Sequence, residues 1–257
     1  MDASASDSSY RVSVLIPVYN HAESIGPTLN AVLKFYCPVL LVDDGSDQAC
    51  RDVLIKLSEQ HANLVTLLRL PDNGGKGAAI KAGLKELSFG DYSHAVQIDS
   101  DGQHDLTDLP VFLRTSVNHP KALVIGYPVY DATVPKMRYY GRYLTHVWVW
   151  INTLSFEIRD TMCGFRVYPV QQTVALIEEG GCGDRMEFDP EIIVRWYWRG
   201  GSIKNLPTRV LYPIDGVSHF RLWRDNALIS LMHARLFFGM LLRLPKLLMR
   251  KANDQHQ

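Results

Sequence analysis

The chain has 257 residues, 47% of them hydrophobic, which suits one large α/β domain or one domain with an appended segment. Lysine plus arginine and aspartate plus glutamate both total 27, so the near-zero net charge argues against a general nucleic-acid binder. The four cysteines (Cys37, Cys50, Cys163, Cys182) form no Cys-x-x-Cys pair and no zinc-ligand cluster, and no secretory signal opens the chain, so reduced thiols in the cytosol are expected.

Taken in order, Val12 to Val18 reads as a buried strand stopped by Pro17. Glu23 to Phe35 has helical spacing. Pro38 to Val42 is a second buried strand, halted by the turn composition Asp43-Asp44-Gly45-Ser46. Arg51 to His61 is helical and Leu64 to Leu68 a third strand. Asn73-Gly74-Gly75-Lys76-Gly77 is a tight loop that opens a helix over Ala78 to Leu87. His94 to Ile98 is a fourth strand, ended by Asp99-Ser100-Asp101-Gly102-Gln103-His104-Asp105. Strands alternating with helices imply parallel pairing and a sheet covered on both faces. After about residue 125 the alternation fades, although Ala122 to Gly126 looks like a fifth strand. Tyr139 to Phe156 and Leu222 to Met249 read as amphipathic helices, the second kinked by Pro245.

Ligands of such sheets collect beyond the carboxyl ends of the strands, where Tyr19-Asn20, Asp43-Asp44 and Asp99 to Gln103 all fall. Asp99 and Asp101, two residues apart at an extended strand end, point the same way and repel unless a positive group lies between them. A hard divalent cation takes such oxygens, with Gln103 as a neutral ligand, and would neutralise a departing nucleoside diphosphate. A lone Asp-x-Asp is more often a solvated turn; the buried strand before it and the second acidic loop shift the balance. Asp43 or Asp44 can grip ribose hydroxyls or a base N–H, while Ser46 or Asp47 caps the next helix. The loop around Lys76 fails the Walker pattern, since Leu70 replaces its first glycine and Gly77 follows the lysine. Lys76 at a helix start still favours anions. A nicotinamide dehydrogenase is rejected because the loop after the first strand lacks glycine.

Taken together, Ile16-Pro17-Val18-Tyr19-Asn20, Val42-Asp43-Asp44-Gly45-Ser46, Asn73 to Ala79 and Ile98 to His104 resemble the inverting family 2 glycosyltransferases of GT-A fold. Within that family the likeness is to the dolichyl-phosphate mannose synthase and polyprenyl-phosphate glycosyltransferase branch. A thinner match continues through Arg138, Arg142 and Asp160 to Arg166, and on to Ser218-His219. The resemblance implies that Pro17, Tyr19, Asp43 and Asp44 line a nucleotide pocket. It also implies that Asp99, Asp101 and Gln103 hold Mg²⁺ or Mn²⁺, and that Arg138 and Arg142 meet an acceptor phosphate. The chain departs from the family pattern at His21, Gly126-Tyr127-Pro128 and Pro213.

A phosphate acceptor needs no strong base, whereas a hydroxyl acceptor needs a carboxylate. Asp160, Glu187 and Asp189 are the candidates, with Asp189 ranked first. Arg138 and Arg142 share a helix face and suit a phosphate. Trp148 and Trp150 fit a bilayer interface or a core equally. No stretch approaches the roughly 18 to 20 charge-free apolar residues of a membrane span. The C-terminal segment, an apolar band interleaved with Arg224, Arg235, Arg243, Lys246 and Arg250, suggests a helix lying in the headgroup plane; packing on the domain or in a dimer is the alternative.

The expected layout is a disordered start at 1–9, a GT-A domain at 10–215, amphipathic membrane-interface helices at 216–250 and a disordered tail at 251–257. The expected activity is transfer of a sugar from a nucleotide-diphosphate sugar to a lipid-linked acceptor on the cytoplasmic face of a membrane, with no nucleic-acid partner and a homo-oligomer left open. A catalytically inactive scaffold and a nucleotidyltransferase are the alternatives.

Overall fold

A computed structural model describes residues 10–129, 136–210 and 222–254, with the side chains of 136–141, 222 and 252–254 left out. The expected disordered start, Pro213 and Ser218-His219 lie outside the described residues. Among the described residues seven strands and eight α-helices follow in chain order: β1 (Val12–Val18), α1 (Ala22–Leu33), β2 (Val39–Asp43), α2 (Gln48–Gln60), β3 (Val65–Arg69), α3 (Lys76–Phe89) and β4 (His94–Gln97). Then come α4 (Leu109–Asn118), β5 (Leu123–Val129), α5 (Lys136–Thr153), β6 (Arg166–Pro169), α6 (Val170–Glu178), α7 (Phe188–Trp198), β7 (Ile203–Arg209) and α8 (Leu222–Asp254).

The strands form one sheet in the order β3-β2-β1-β4-β6-β5-β7. All pairs are parallel except those of β6, which runs antiparallel to β4 and β5. The sheet alternation sorts side chains into two cores. Leu15, Leu40, Val42 and Ala95 face α3, α6, α7 and α8. Val14, Ile16, Leu41 and Val96 face α1, α2 and α4. Period-two alternation along fully buried strands, with apolar residues on both faces, is what a sheet covered on two sides requires.

Three details differ from expectation. Strand β1 runs through Pro17 to Val18, with Pro17 opposite Val42, so the proline does not stop it. Helix α8 continues through Pro245 and on to Asp254, although proline removes a ladder bond. Between Asp225 and Arg243 its only charge is Arg235. The stretch Trp223–Lys251 is therefore long and apolar enough, by length and composition, to cross a bilayer, against the expectation that no segment is. Helix α8 packs on α5 and α7 through Ile229, Met232, Leu236 and Met240, leaving its other side outward. Trp148 belongs to that packing: its ring stacks on His233 at 6.0 Å.

Candidate active site

The loops beyond β1, β2 and β4 are bound to one another before any ligand is considered. Asn20 adopts φ 53° and joins the first two loops, since its backbone N–H donates to Ser46 Oγ (3.1 Å) and its Oδ1 accepts from the Asp47 backbone N–H (2.8 Å). Asp47 also caps α2, accepting from the Cys50 N–H at 2.9 Å. Asp43 Oδ1 accepts from the Ser46 N–H (2.8 Å), while among the described residues its Oδ2 has only the Arg69 guanidinium, at 3.6 Å. Asp44 accepts from Asn73 Nδ2 and from the Gly74 and Gly75 N–H groups, all at 2.8–2.9 Å. Burial outweighs these bonds and raises its pKa. Both aspartates thus shape the loops, and Pro17 and Tyr19 stand at the end of β1 beside them.

The glycines of the Asn73–Gly77 loop serve a packing contact. A Cβ on Gly75 would lie 2.6 Å from Arg185 Cγ, and one on Gly77 would lie 2.5 Å from Phe188 Cβ and 2.8 Å from Gly183 O. The Ala78 N–H, an orphan donor of the first turn of α3, is taken by Asp184 O at 2.8 Å. The loop of residues 183–188 therefore covers the start of α3, where the sequence suggested an open anion site.

Lys76, the first residue of α3, points inward. Its Nζ lies 2.8 Å from Asp99 Oδ1 and 2.8 Å from Asp189 Oδ2. Asp189, in the first turn of α7, meets Arg166 Nη1 through its other oxygen at 3.1 Å. An alternating chain results: Asp99, Lys76, Asp189, Arg166. Burial would lower the Lys76 pKa, but the two carboxylates outweigh it and hold it raised. Burial likewise opposes the ionised form of Asp99, yet Lys76 and His104 hold its pKa well below the usual carboxylate range. Arg166 is fully buried and donates to the carbonyls of Cys163, Thr161 and Asp189. The Asp99 carboxylate rests on Gly164, where a Cβ would overlap it, and His104 Nε2 stands 3.4 Å away.

Asp101 does not lie on an extended strand. The chain turns at Ser100, Gly102 takes φ 73°, and Asp101 Oδ1 accepts from the Gln103 N–H at 3.0 Å. Strand alternation therefore does not set its direction; a side-chain-to-backbone turn does. Burial, then the charge of Asp99, raises its pKa. Among the described residues no three His, Cys, Asp or Glu side chains converge as a metal cluster. The donors present still suit a hard cation. Asp101 is burdened by the charge of its neighbour, Asp99 already takes a positive partner, and Gln103 adds an amide oxygen.

The other expected site residues are spent elsewhere. Asp160 accepts from Arg142 Nε (2.6 Å) and Nη2 (2.8 Å) and from the Met162 and Cys163 N–H groups, with His146 Nε2 at 3.1 Å. Burial opposes its ionised form, but Arg142 and His146 prevail and hold its pKa well below the usual range. A carboxylate so occupied makes a poor base, and Arg142 uses its bidentate face on Asp160. Arg138 sits one turn earlier on α5, with its side chain outside the described residues. Glu187 is buried, with Oε1 3.4 Å from the Arg185 N–H. Sequence reasoning assigned no role to Arg166, His104, Gly164 or Arg185. Arg166 alone carried a signal, a charge opening an otherwise apolar strand.

A family model described as glycosyl transferase family 2 matches residues 13–176. A dolichyl-phosphate beta-glucosyltransferase of Trichomonas vaginalis is 26% identical over 213 residues, which is 76% of this chain and 64% of that protein; the chain spans less than two thirds of the relative's length. Glucosyl-3-phosphoglycerate synthase from Mycobacterium tuberculosis, solved with phosphoglyceric acid, superposes with TM-score 0.62 at 17% identity, covering 91% of this chain and 80% of that one. A mannosyltransferase from Pyrobaculum calidifontis, solved with GDP-Man and Mn²⁺, superposes with TM-score 0.55 at 16% identity, covering 98% and 77%. These likenesses establish the GT-A fold.

Proposed function

The chain belongs to glycosyl transferase family 2, and we propose that it moves a sugar from a nucleotide-diphosphate sugar to a lipid-linked phosphate, with inversion, at a membrane surface. The observation that carries this reading is the ion chain at the carboxyl end of the sheet, where Lys76 bridges Asp99 and Asp189 and the charge of Asp99 bears on Asp101. Pro17, Tyr19 and Asp43 line the nucleotide side of the crevice, and Asp44 holds its wall. Asp43 Oδ2, with no hydrogen bond of its own, suits a base N–H. Asp99, Asp101 and Gln103 would hold Mg²⁺ or Mn²⁺, which neutralises charge on the departing diphosphate when bound. The solved mannosyltransferase carrying GDP-Man and Mn²⁺ on the same fold supports that donor and ion class.

A phosphate acceptor fits better than a hydroxyl. Both oxygens of Asp189 are ion-paired, and Asp160 is saturated by five donors, so neither is placed to strip a proton. A phosphate oxygen is anionic already. Asp189 then acts as a positioning residue for Lys76. The dolichyl-phosphate relative agrees with that acceptor class. The outward face of α8, with Phe238 66% and Leu242 84% exposed, supports contact with a membrane, whose cytoplasmic face we propose as the site of action.

The test is incubation of the full chain with liposomes containing polyprenyl phosphate, Mn²⁺ and a panel of labelled UDP- and GDP-sugars, followed by lipid extraction. Labelled lipid is expected, with at least about 10²-fold less from Asp101→Ala. Absence of labelled lipid with every donor, or undiminished transfer by Asp101→Ala, would overturn the reading.

A further inference from the structure

A cleft of about 390 Å³ opens between the loop of residues 181–187 and the first half of α8. That volume lies at the low end of the range for small-molecule sites, about 300–1,000 Å³. Arg224, Leu228, Leu231 and Arg235 line one wall. Their spacing of four, three and four residues puts them on one face of α8. Arg185 faces them from the loop. Of the carboxylates on the rim, Asp184 pairs with Lys81 at 2.5 Å, while Glu187 accepts the Arg185 backbone N–H at 3.4 Å through Oε1 and its buried Oε2 has no hydrogen bond among the described residues. Arg185 places one arm on Asn73 Oδ1 at 3.2 Å, and among the described residues Arg235 has only Glu191, at 3.5 Å. Among the described residues Arg224 makes no hydrogen bond or ion pair. Three arginines so disposed form an anion seat.

The same face of α8 continues away from the cleft as an apolar rail. Leu231, Phe238, Leu242 and Met249 recur at intervals of seven, four and seven residues, and are exposed by 59, 66, 84 and 60%. The loop that forms the other wall of the cleft packs on Gly75 and Gly77, on either side of Lys76. We infer that this cleft binds the phosphate head of the acceptor lipid, with the lipid's apolar chain laid along the Leu231-Phe238-Leu242 rail. The inference rests on the lipid-phosphate reading above and moves the acceptor head away from Arg142, whose guanidinium is held by Asp160. Charge-assisted bidentate bonds suit arginine to phosphate, and the adjoining rail distinguishes a lipid phosphate from the free ion.

The experiment measures binding of farnesyl phosphate, farnesol and inorganic phosphate to the full chain, and GDP–Mn²⁺ and UDP–Mn²⁺ affinity beside them. Farnesyl phosphate is expected to bind more tightly than either of the others. Arg224→Gln/Arg235→Gln should weaken it by about tenfold or more, with nucleotide affinity and melting temperature unchanged. Leu231→Gln should weaken farnesyl phosphate and leave inorganic phosphate unaffected. Lys56→Gln, on α2 across the sheet from the cleft, should change neither. Equal binding of inorganic and farnesyl phosphate, an undiminished double variant, or an equal loss in Lys56→Gln overturns the inference. Tight farnesyl phosphate binding with no sugar transfer would instead sink the proposed function and leave the cleft standing.

Discussion

Replacing Lys76 by methionine removes one charge and roughly keeps the side-chain length. Asp99 and Asp189, with side chains 23% and 4% exposed, would then face the terminal methyl of a thioether chain that stops one atom short of the ammonium. Asp189 keeps Arg166 at 3.1 Å, whereas Asp99 keeps only His104 at 3.4 Å, so the loss falls mainly on Asp99. Breaking a buried pair from one side costs about 3–5 kcal/mol. The remaining partners and the partial exposure of Asp99 reduce this to about 2–3 kcal/mol. For a chain of this size that is a fall of about 5–10 °C in melting temperature. A divalent cation changes the comparison, because at the proposed site it would have to share Asp99 with Lys76 in the wild type. Stabilisation by a bound ion grows with the ratio of its concentration to Kd, so Mn²⁺ should raise the melting temperature of Lys76→Met by more than that of the wild type. Manganese titration by electron paramagnetic resonance should show tighter binding to the variant. A variant melting within about 1 °C of the wild type would refute the buried-pair reasoning. Equal Mn²⁺ affinity in both chains would refute the competition.

Four further outcomes follow from the packing and the charges. Gly77→Ala forces a Cβ against Phe188 and Gly183 O, and should cost about 1–3 kcal/mol in urea unfolding and weaken nucleotide binding, because the 183–188 loop must move. Gly26→Ala, with nothing within 4 Å of the added carbon, should instead stabilise α1 by about 0.5–1 kcal/mol. Asp160 has a folded pKa below its unfolded value of about 3.9, so its stabilisation is full above that pH and is lost as pH falls through the folded value. Arg142→Met should therefore move the onset of acid unfolding to higher pH, as followed by circular dichroism. His233, wedged between α5 and α8 near Asn152 and Trp148, is pushed down to about 4 by burial. Its contribution is present above the unfolded pKa of about 6.5 and is lost as pH falls from there towards 4, worth about 3 kcal/mol. His233→Leu should flatten that part of the stability profile, measured by urea midpoints between pH 7 and 4.5.

The first half of the fold was legible because each strand there is a run of β-branched and apolar residues followed by turn chemistry and an amphipathic helix. That pattern is local. Strand β6 has four residues, opens with the charged Arg166 and pairs antiparallel between β4 and β5, so no local period marks it. Strand β7 reads Ile-Lys-Asn-Leu-Pro-Thr-Arg, tolerable at the sheet edge, where one side lacks a partner among the described residues and Pro207 interrupts nothing central. The same divide runs through the site. Asp43, Asp44, Asp99, Asp101 and Lys76 stood out by residue type at strand ends, but their partners did not. Lys76 finds Asp189 more than a hundred residues away, and Gly75 and Gly77 lie against the 183–188 loop at a similar separation. A glycine-rich loop before a helix looks alike in sequence whether backbone or phosphate presses on it, since both demand the absence of a Cβ. The distinction lies in the Ala78 N–H: Asp184 O takes a donor that an anion would otherwise use, and this commits Lys76 to the carboxylates.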